Sequence, residues 1–238
     1  MKVLSYNIWF DEKDRLNRLE SLLAVITYYD PDIICLQEVI PSIHTRIMDN
    51  LKCYTSFPYK LDKTYGCVIL SKLDIKNKQE YIFDKSVMGR NLLLIGVKID
   101  DELVYIANCH YESMFKIKTK NVEKLNQYTL SKKILDTISE KNKVVLCADT
   151  NILKVEEESF FNDNKWIDSW EVCKDKKQEF TFDYTTNSHM KDKKLRFRSR
   201  LDRILYNGSF KLNQFFLIRG IEGFIQPSDH HGVMVELA

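Results

Sequence analysis

The clearest indication of the fold is the segment Val144-Val145-Leu146-Cys147-Ala148-Asp149-Thr150-Asn151. Its first five residues form an uninterrupted apolar run, which predicts a buried β-strand. Asp149 follows the run directly, and a carboxylate in that position is typical of a strand that ends at a functional site. The segment therefore predicts a protein built on sheets, with chemistry at a strand end.

Similar runs recur along the chain and alternate irregularly with helices. Leucine and isoleucine spacing predicts amphipathic helices over Arg15–Tyr29, which Pro31 ends, and over residues 120–140. A shorter helix is expected after Pro41, with Ser42 as its cap or Pro41 as the stop before it. This order excludes strict strand–helix alternation and favours mixed sheets with helices on their outer faces. The other predicted strands cover residues 3–6, 33–36, 66–70, 92–99, 103–108, 201–206 and 233–237.

Length and composition indicate one globular domain, residues 1–238. The chain is 44% hydrophobic with only 7 glycines and 4 prolines, which excludes a disordered or collagen-like protein. A net charge of +2 is too balanced to indicate a nucleic-acid or membrane partner by itself. The longest apolar run, residues 92–97, is too short to cross a bilayer, so no membrane association is expected.

The cysteines and the first residues bear on the compartment. None of the six cysteines forms a CxxC pair, and Cys35, Cys67, Cys109 and Cys147 lie in strand-like runs. Buried free thiols are therefore expected rather than disulfides or a zinc site. No secretory signal is visible, so we expect an intracellular protein, nuclear or cytoplasmic. We also expect a monomer.

Polar side chains end several of the predicted strands. Asn7, Glu38, His110 and Asp149 follow apolar runs, and Ser228-Asp229-His230-His231 precedes the last strand. If these ends meet at one sheet edge, they form a cleft of carboxylates, imidazoles and carboxamides. Each residue alone has an ordinary structural explanation, such as a turn or a solvated charge, but together they indicate a site.

This set of side chains suits phosphoester hydrolysis with a hard cation. Mg²⁺, or Mn²⁺ as the alternative, prefers carboxylate oxygens plus waters and phosphate oxygens. Hydrolysis of a phosphoester also needs a positioned water with a base and donors for the growing negative charge. The chain contains no GxxxxGK[ST], GxGxxG or GxSxG motif, which argues against P-loop, dinucleotide-binding and α/β-hydrolase enzymes.

Six short motifs, in order along nearly the whole chain, together resemble the endonuclease/exonuclease/phosphatase superfamily of metal-dependent phosphoesterases. The resemblance implies a DNase I-like, four-layered α/β sandwich: two mixed β-sheets packed face to face, with helices outside and the site at one edge. The motifs are Ser5-Tyr6-Asn7, Leu36-Gln37-Glu38-Val39, Asn108-Cys109-His110, Ala148-Asp149-Thr150-Asn151, Arg200-Leu201-Asp202-Arg203-Ile204 and Ser228-Asp229-His230.

The resemblance also implies a role for each matching residue. Glu38 would bind Mg²⁺ with help from Asp229, and Asp149 would orient and deprotonate the attacking water. His230, positioned by Asp202, would stabilise charge on the phosphate. Further phosphate or nucleophile contacts would come from Asn7, Asn151, His110 and Ser113.

Two local motifs narrow the substrate. Phe180-Thr181-Phe182-Asp183 and Ser228-Asp229-His230-His231-Gly232 resemble the superfamily enzymes that release tyrosine from a DNA 5′ phosphate. This implies a Mg²⁺-dependent hydrolase of 5′-phosphotyrosyl–DNA bonds, which acts in DNA repair on topoisomerase-type adducts. Its partner would be DNA that is single-stranded near the 5′ end.

Several other residues are candidate substrate contacts. Arg200 and Arg203 belong to a basic stretch that could follow a DNA backbone, and Phe182 and Tyr65 could stack on bases. Leu153 and Phe182 stand where the tyrosine-releasing enzymes have Arg and Trp. The alternatives are an abasic-site or RNA 3′ nuclease of the same superfamily, an inositol or lipid phosphatase, and a binding module without catalysis.

Overall fold

The computed structural model describes residues 1–113, 122–157, 165–173, 175–191 and 196–238. Within these ranges the strands form two six-stranded sheets and one small two-stranded sheet. Both large sheets are mixed, with parallel and antiparallel neighbours. None of the described helices combines the length and the apolar character that a bilayer crossing requires.

The first sheet is built from both ends of the chain. Its spatial order is β13, β14, β1, β2, β4, β3. The strands β1 and β2 are parallel, whereas the last strand of the chain, β14, lies antiparallel to β1. Their bounds are β1 Lys2–Asn7, β2 Ile33–Val39, β3 Thr55–Phe57, β4 Gly66–Ser71, β13 Leu212–Ile218 and β14 Gly232–Leu237.

The second sheet comes from the middle of the chain. Its spatial order is β5, β6, β7, β8, β12, β9, and β7 and β8 are the parallel pair. Two short strands outside it, β10 Phe182–Asp183 and β11 Arg198–Ser199, pair with each other. The bounds are β5 Ile75–Ile82, β6 Asn91–Ile99, β7 Glu102–His110, β8 Lys143–Asp149, β9 Ile167–Asp168 and β12 Asp202–Asn207.

Helices cover the outer faces of both sheets, so the molecule has four layers. Side chains from both sheets, including Ile33, Ile95 and Val145, form the central core. A second core lies between the first sheet and the first two helices, and a third lies between the second sheet and the long third helix. The helices are α1 Arg15–Tyr29, α2 Pro41–Asn50, α3 Val122–Ser139 and α4 Ser169–Cys173, with short 3₁₀ turns at Lys154–Glu156, Lys176–Gln178 and Ser188–Met190.

A buried polar link joins the two sheets. The Asn108 side chain of β7 donates from Nδ2 to the carbonyl oxygens of Leu36 and Val68, at 2.9 Å each. Its Oδ1 accepts from Gln37 Nε2 at 2.7 Å. Asn108 and Gln37 are fully buried, and their hydrogen bonds fix how the second sheet lies on β2 and β4.

The predicted sheet-and-helix pattern is confirmed, with local differences. Ser42 is not the cap of α2, because Pro41 is already its first residue and Ile40 occupies the cap position. The predicted helix 120–140 is observed as Val122–Ser139, and residues 120 and 121 lie outside the described residues. The strands β5 and β13 were not predicted. Both lie at sheet edges, and β5 is almost entirely polar and exposed, so no apolar pattern marks it.

The six cysteines are free thiols, as predicted. Cys35, Cys67 and Cys147 lie in the central core between the sheets, whereas Cys109 packs in the core under α3. Burial raises the pKa of the Cys67 thiol to about 12, and it also raises the pKa of Cys35, whose neighbour is Cys147.

The link between the sheets can be tested by Asn108→Leu. The substitution removes three hydrogen bonds and takes the Asn108 donor away from two buried carbonyl oxygens. We expect the free energy of unfolding to fall by about 3 kcal/mol, since each unpaired buried group costs about 1–3 kcal/mol. Urea denaturation measures the change. Asn126→Leu on the exposed side of α3 is the matched control, and equal stability of the two variants would contradict the assignment.

Candidate active site

The polar strand ends meet at one edge of the sandwich. Register places Asn7 beside Gln37 in the first sheet, and Asp149 between His110 and Asp202 in the second. Asn7, His110 and Asp149 are the last residues of their strands, Asp202 is the first of β12, and Gln37 is two residues before the end of β2. Their side chains therefore gather at one edge of the sheets. The sequence-based expectation of one shared edge is thus confirmed by the register.

A glycine allows the last polar motif to reach this edge. Gly232 begins β14 against the buried ring of Tyr6, and a Cβ at this position would lie 2.7 Å from a ring carbon. Only glycine permits so close an approach. It brings the preceding residues, Asp229 and His230, to the end of β1.

Asn7 joins the carboxylates of the two sheets. Its Nδ2 donates to Asp149 Oδ2 at 2.8 Å and lies 3.2 Å from Glu38 Oε1. Its Oδ1 accepts from the main-chain N–H of Trp9 at 3.0 Å, which fixes the orientation of the amide. One amide nitrogen, Asn7 Nδ2, therefore contacts both Glu38 of the first sheet and Asp149 of the second.

Asp149 is a buried carboxyl group whose ionised form is disfavoured by its surroundings. Burial, and then the nearby Asp202 carboxylate, raise the pKa of Asp149 to about 7, although His230 and the Asn7 hydrogen bond favour its ionised form. Its Oδ1 also accepts from the N–H of Asn151 at 3.1 Å. A carboxylate with such a pKa can accept a proton near neutral pH.

His230 is held as a cation by two carboxylates. Its Nδ1 lies 2.8 Å from Asp202 Oδ2, and its Nε2 lies 4.0 Å from Asp149 Oδ2. Burial alone would disfavour the charged ring, but Asp202 and Asp149 outweigh it and raise the pKa of His230 to about 10. The imidazolium is thus the positive charge that lies among the carboxylates.

The Phe180–Asp183 motif holds His230 and Asp202 in place. Thr181 Oγ1 accepts from the N–H groups of Leu201 and Asp202 at 3.0 Å each, and its carbonyl accepts from the N–H of His231 at 2.7 Å. The buried ring of Phe182 meets the His230 ring edge-on, with centroids 5.0 Å apart. Thr181 therefore ties the segments of Asp202 and His230 together, and Phe182 packs against the imidazole.

His110 is neutral and is oriented by Arg90, a residue that the sequence did not indicate. Arg90 Nη1 donates to His110 Nδ1 at 2.9 Å, so the ring proton is on Nε2, which lies 3.2 Å from Asp149 Oδ2. Arg90 Nη2 is 3.2 Å from Nε2, but both atoms then carry protons and do not bond. Burial, then the charge of Arg90, lower the pKa of His110.

Asn151 is held in a conformation that few residues adopt. Its φ of +50° lies in the left-handed region, where asparagine is favoured among non-glycine residues. Its Nδ2 donates to the carbonyl of Tyr111 at 3.0 Å, and its own carbonyl accepts from Lys124 Nζ at 2.7 Å. Lys124, on α3, also pairs with Glu156 at 2.7 Å and so fixes the loop after β8. No pattern in the sequence indicated Lys124.

Glu38 and Asp229 lie on the first-sheet side of the cleft. Burial raises the pKa of Glu38, while His230 and a hydrogen bond from the N–H of Phe10 oppose that rise, and Asp229 adds to it. The Phe10 nitrogen is 3.1 Å from Glu38 Oε2. Asp229 is therefore close enough to act on Glu38 electrostatically.

The donor set fits a hard divalent cation. Asp149, Asp202 and His230 offer ligand atoms within 4.8 Å of one another, but the Nδ1 of His230 is already engaged by Asp202. Carboxylate oxygens predominate, and the raised pKa values of Glu38 and Asp149 show that their negative charge is only partly balanced. A cation beside them would complete the balance.

Arg200 and Arg203 do not lie among these groups, which corrects the prediction that they bind substrate. Arg203 adjoins Asp202 on β12, so its side chain points to the opposite face of the sheet. Both guanidinium groups are buried and pair with Asp168 and Glu157, and Arg200 also stacks over the Trp170 ring at 4.5 Å. Their charge is used within the fold.

The other predicted contacts lie around the cleft. The Tyr65 ring stacks on Phe10 with centroids 4.7 Å apart, and the guanidinium of Arg90 lies 5.5 Å from the centre of the Tyr65 ring. Phe10 is 44% exposed, so this stack presents an aromatic surface beside Glu38. Ser113 is half-buried just before residues 114–121, and its role stays a prediction. Leu153 is partly exposed.

The pairing of His230 with Asp202 predicts the outcome of Asp202→Asn. Without the Asp202 charge, the pKa of His230 should fall well below about 10, as NMR titration of its ring resonances would show. Because folding raises this pKa from 6.5, the pairing stabilises the fold fully below pH 6.5, and its contribution is lost as the pH rises through about 10. Exposed Asp74→Asn is the control, and an unchanged His230 titration in Asp202→Asn would refute the assignment.

Comparison with known proteins agrees with this geometry. The model of the Endonuclease/Exonuclease/phosphatase family matches residues 4–230. Tyrosyl-DNA phosphodiesterase 2 of Bos taurus is 26% identical over 249 residues, which cover 99% of this chain and 68% of that protein. The chain thus spans about two thirds of the length of this relative.

Two solved structures are similar over the whole fold. The crystal structure of D. rerio TDP2 complexed with single strand DNA product has a TM-score of 0.89 at 23% identity, covering 100% of this chain and 98% of that one. TDP2 from C. elegans has a TM-score of 0.85 at 27% identity, covering 98% and 74%. These similarities confirm the DNase I-like sandwich, and with the match over residues 4–230 they show that this chain belongs to the endonuclease/exonuclease/phosphatase family.

Proposed function

We propose that this protein is a Mg²⁺-dependent phosphodiesterase that hydrolyses 5′-phosphotyrosyl–DNA bonds and so removes topoisomerase-type adducts in DNA repair. The observation that carries the proposal is the arrangement of Asp149 beside the His230–Asp202 pair, with Asn7 and Glu38 across the cleft. Similarity to tyrosyl-DNA phosphodiesterase 2 over 99% of the chain supports the choice of substrate.

Asp149 is the base in this proposal. Asn7 and His110 contact its Oδ2, and the N–H of Asn151 contacts its Oδ1, so the carboxylate is oriented on both oxygens. A water beside it would lose its proton to Asp149 as it attacks phosphorus. The pKa of about 7 makes Asp149 a stronger base than an exposed aspartate while leaving much of it ionised at neutral pH.

His230 and neighbouring donors stabilise the phosphate. The transition state of phosphoryl transfer spreads negative charge over its equatorial oxygens, and fixed positive groups stabilise it. His230 stays charged throughout the neutral range because of Asp202. Arg90 adds a second positive charge beside His110.

Glu38, with Asp229, would hold the Mg²⁺ ion. The cation, when bound, supplies a Lewis acid that neutralises charge on the phosphate oxygens. Asn7 keeps Glu38 at a fixed distance from Asp149, so the base and the cation ligand belong to one rigid group.

A tyrosyl leaving group suits this set of residues. A phenol has a pKa near ~10, so phenolate leaves with little help from an acid, unlike the alkoxide of deoxyribose. The cleft offers no strong general acid among the described residues, since His230, with its pKa raised to about 10, holds its proton tightly and His110 is already neutral. The Phe10–Tyr65 stack would support an unpaired base or the tyrosyl ring.

The first experiment compares three substrates with Mg²⁺: a single-stranded oligonucleotide with a 5′-phosphotyrosyl end, an abasic duplex and a poly(A) RNA. We expect tyrosine release to be fastest, and Asp149→Asn to reduce it at least about 1,000-fold, because the base is lost. Asp101→Asn, in the β6–β7 turn at the far end of these strands, is the matched control and should act normally.

The outcome separates the candidate reactions. Faster cleavage of the abasic duplex or of the RNA would show that this protein has a different nuclease activity of the family, while the role of Asp149 as the base would stand. Full activity of Asp149→Asn on every substrate would refute the proposed base.

The pKa of Asp149 also predicts the pH dependence. For kcat/KM of tyrosine release at low Mg²⁺, we expect activity to rise with pH through about 7, as Asp149 ionises. A bound cation favours the ionised carboxylate, so a higher Mg²⁺ concentration should move this rising limb of the pH–activity profile to lower pH. A limb that does not move with Mg²⁺ would show that another group controls it.

A further inference from the structure

Glu112 is a fully buried carboxylate to which the proposed chemistry gives no role. It lies two residues beyond His110, where β7 has ended. Its Oε1 accepts from the N–H groups of Val87 and Met88, at 3.1 and 2.9 Å. Its Oε2 accepts from Ser86 Oγ at 2.7 Å and from Gln127 Nε2 at 2.8 Å. All four contacts require an acceptor, which an ionised carboxylate provides.

Three of these four donors belong to one surface turn, residues 83–90. The N–H of Phe83 pairs with the carbonyl of Arg90 at 3.3 Å, and the N–H of Ser86 with the carbonyl of Phe83 at 2.9 Å. Phe83 at the start of the turn packs in the core under α3, but Val87 at its tip is 83% exposed, so packing does little to hold the tip. Glu112 therefore supplies the contacts that fix the turn from the inside.

This turn ends at Arg90, whose position depends on Ser86. Ser86 Oγ donates to Glu112 and accepts from the N–H of Arg90 at 2.8 Å. The Arg90 side chain then reaches His110 Nδ1, and His110 Nε2 faces Asp149. A continuous series of hydrogen bonds thus runs from Glu112 through Ser86 and Arg90 to His110, whose Nε2 lies 3.2 Å from Oδ2 of the proposed base.

We propose that Glu112 is a positioning residue for Asp149, which it orients indirectly by fixing the 83–90 turn and so the contact of Arg90 with His110. The inference rests on the proposed function only for its effect on turnover. Arg90 can only donate, so its placement decides which nitrogen of His110 carries the proton. When the turn is loosened, His110 is free to adopt the other tautomer, in which Nε2 carries no proton toward Asp149.

The test uses Glu112→Gln and Ser86→Ala in the whole protein with Mg²⁺ added. The amide of Gln cannot accept from all four donors, and Ala removes only the connection between Glu112 and Arg90. Glu102→Gln, at the start of β7 and paired with Lys143, is the matched control. NMR correlation of ring protons with ring nitrogens reports the His110 tautomer directly, independently of turnover.

We expect a single Nε2–H tautomer of His110 in the wild type and in Glu102→Gln. In Glu112→Gln and Ser86→Ala, the His110 signals should show a mixture of tautomers while His44 is unchanged. The kcat for tyrosine release should fall about 10-fold or more, the usual effect of losing a group that orients a site residue.

An unchanged His110 tautomer in both folded variants would overturn the inference. If Glu112→Gln does not fold, Ser86→Ala decides, because it leaves the carboxylate and its other contacts in place. If the wild type releases no tyrosine, the proposed function fails, whereas the tautomer measurement still decides the role of Glu112.

Discussion

The hydrogen bond from Asn7 to Asp149 is the contact on which the site depends. It joins the end of β1 in one sheet to the end of β8 in the other, at 2.8 Å. The site residues come from strands of both sheets, so the distances between them depend on how the two sheets are placed relative to each other. The buried Asn108–Gln37 pair fixes that relation one layer deeper. Polar groups buried between sheets are costly unless they are satisfied, and here satisfying them also determines how the sheets align.

Electrostatic balance is the second constraint. Four carboxyl groups, those of Glu38, Asp149, Asp202 and Asp229, share a buried cleft with one imidazolium, that of His230. Without that imidazolium the carboxylates would repel one another, and without the carboxylates the ring would be neutral. Asp202 has the larger influence on His230, which leaves Asp149 with a raised pKa and the capacity to take up a proton. One set of charges thus produces both a stable cation and a base.

The sequence predicted the parts of the site that follow directly from strands. A polar residue after a buried run lies at a sheet edge, and this rule placed Asn7, His110 and Asp149 together. It could not find Arg90, because a surface turn carries that residue to the site. The prediction for Arg203 failed because the acidic partners Asp168 and Glu157 are more than 30 residues away along the chain. Basic composition does not show where such partners lie. Edge strands such as β5 were missed because main-chain pairing, rather than an apolar pattern, forms them.

The reactivity of the buried thiols can report separation of the two sheets. Cys35 and Cys147 belong to different sheets and are neighbours in the central core, fully shielded from solvent. A thiol reagent can reach them only when the two sheets separate, because both side chains are completely buried. The exposed Cys53 and Cys173 react without any such event. The difference in alkylation rate between the two classes therefore measures how often the layers part, and hence the lifetime of the cleft that both sheets create.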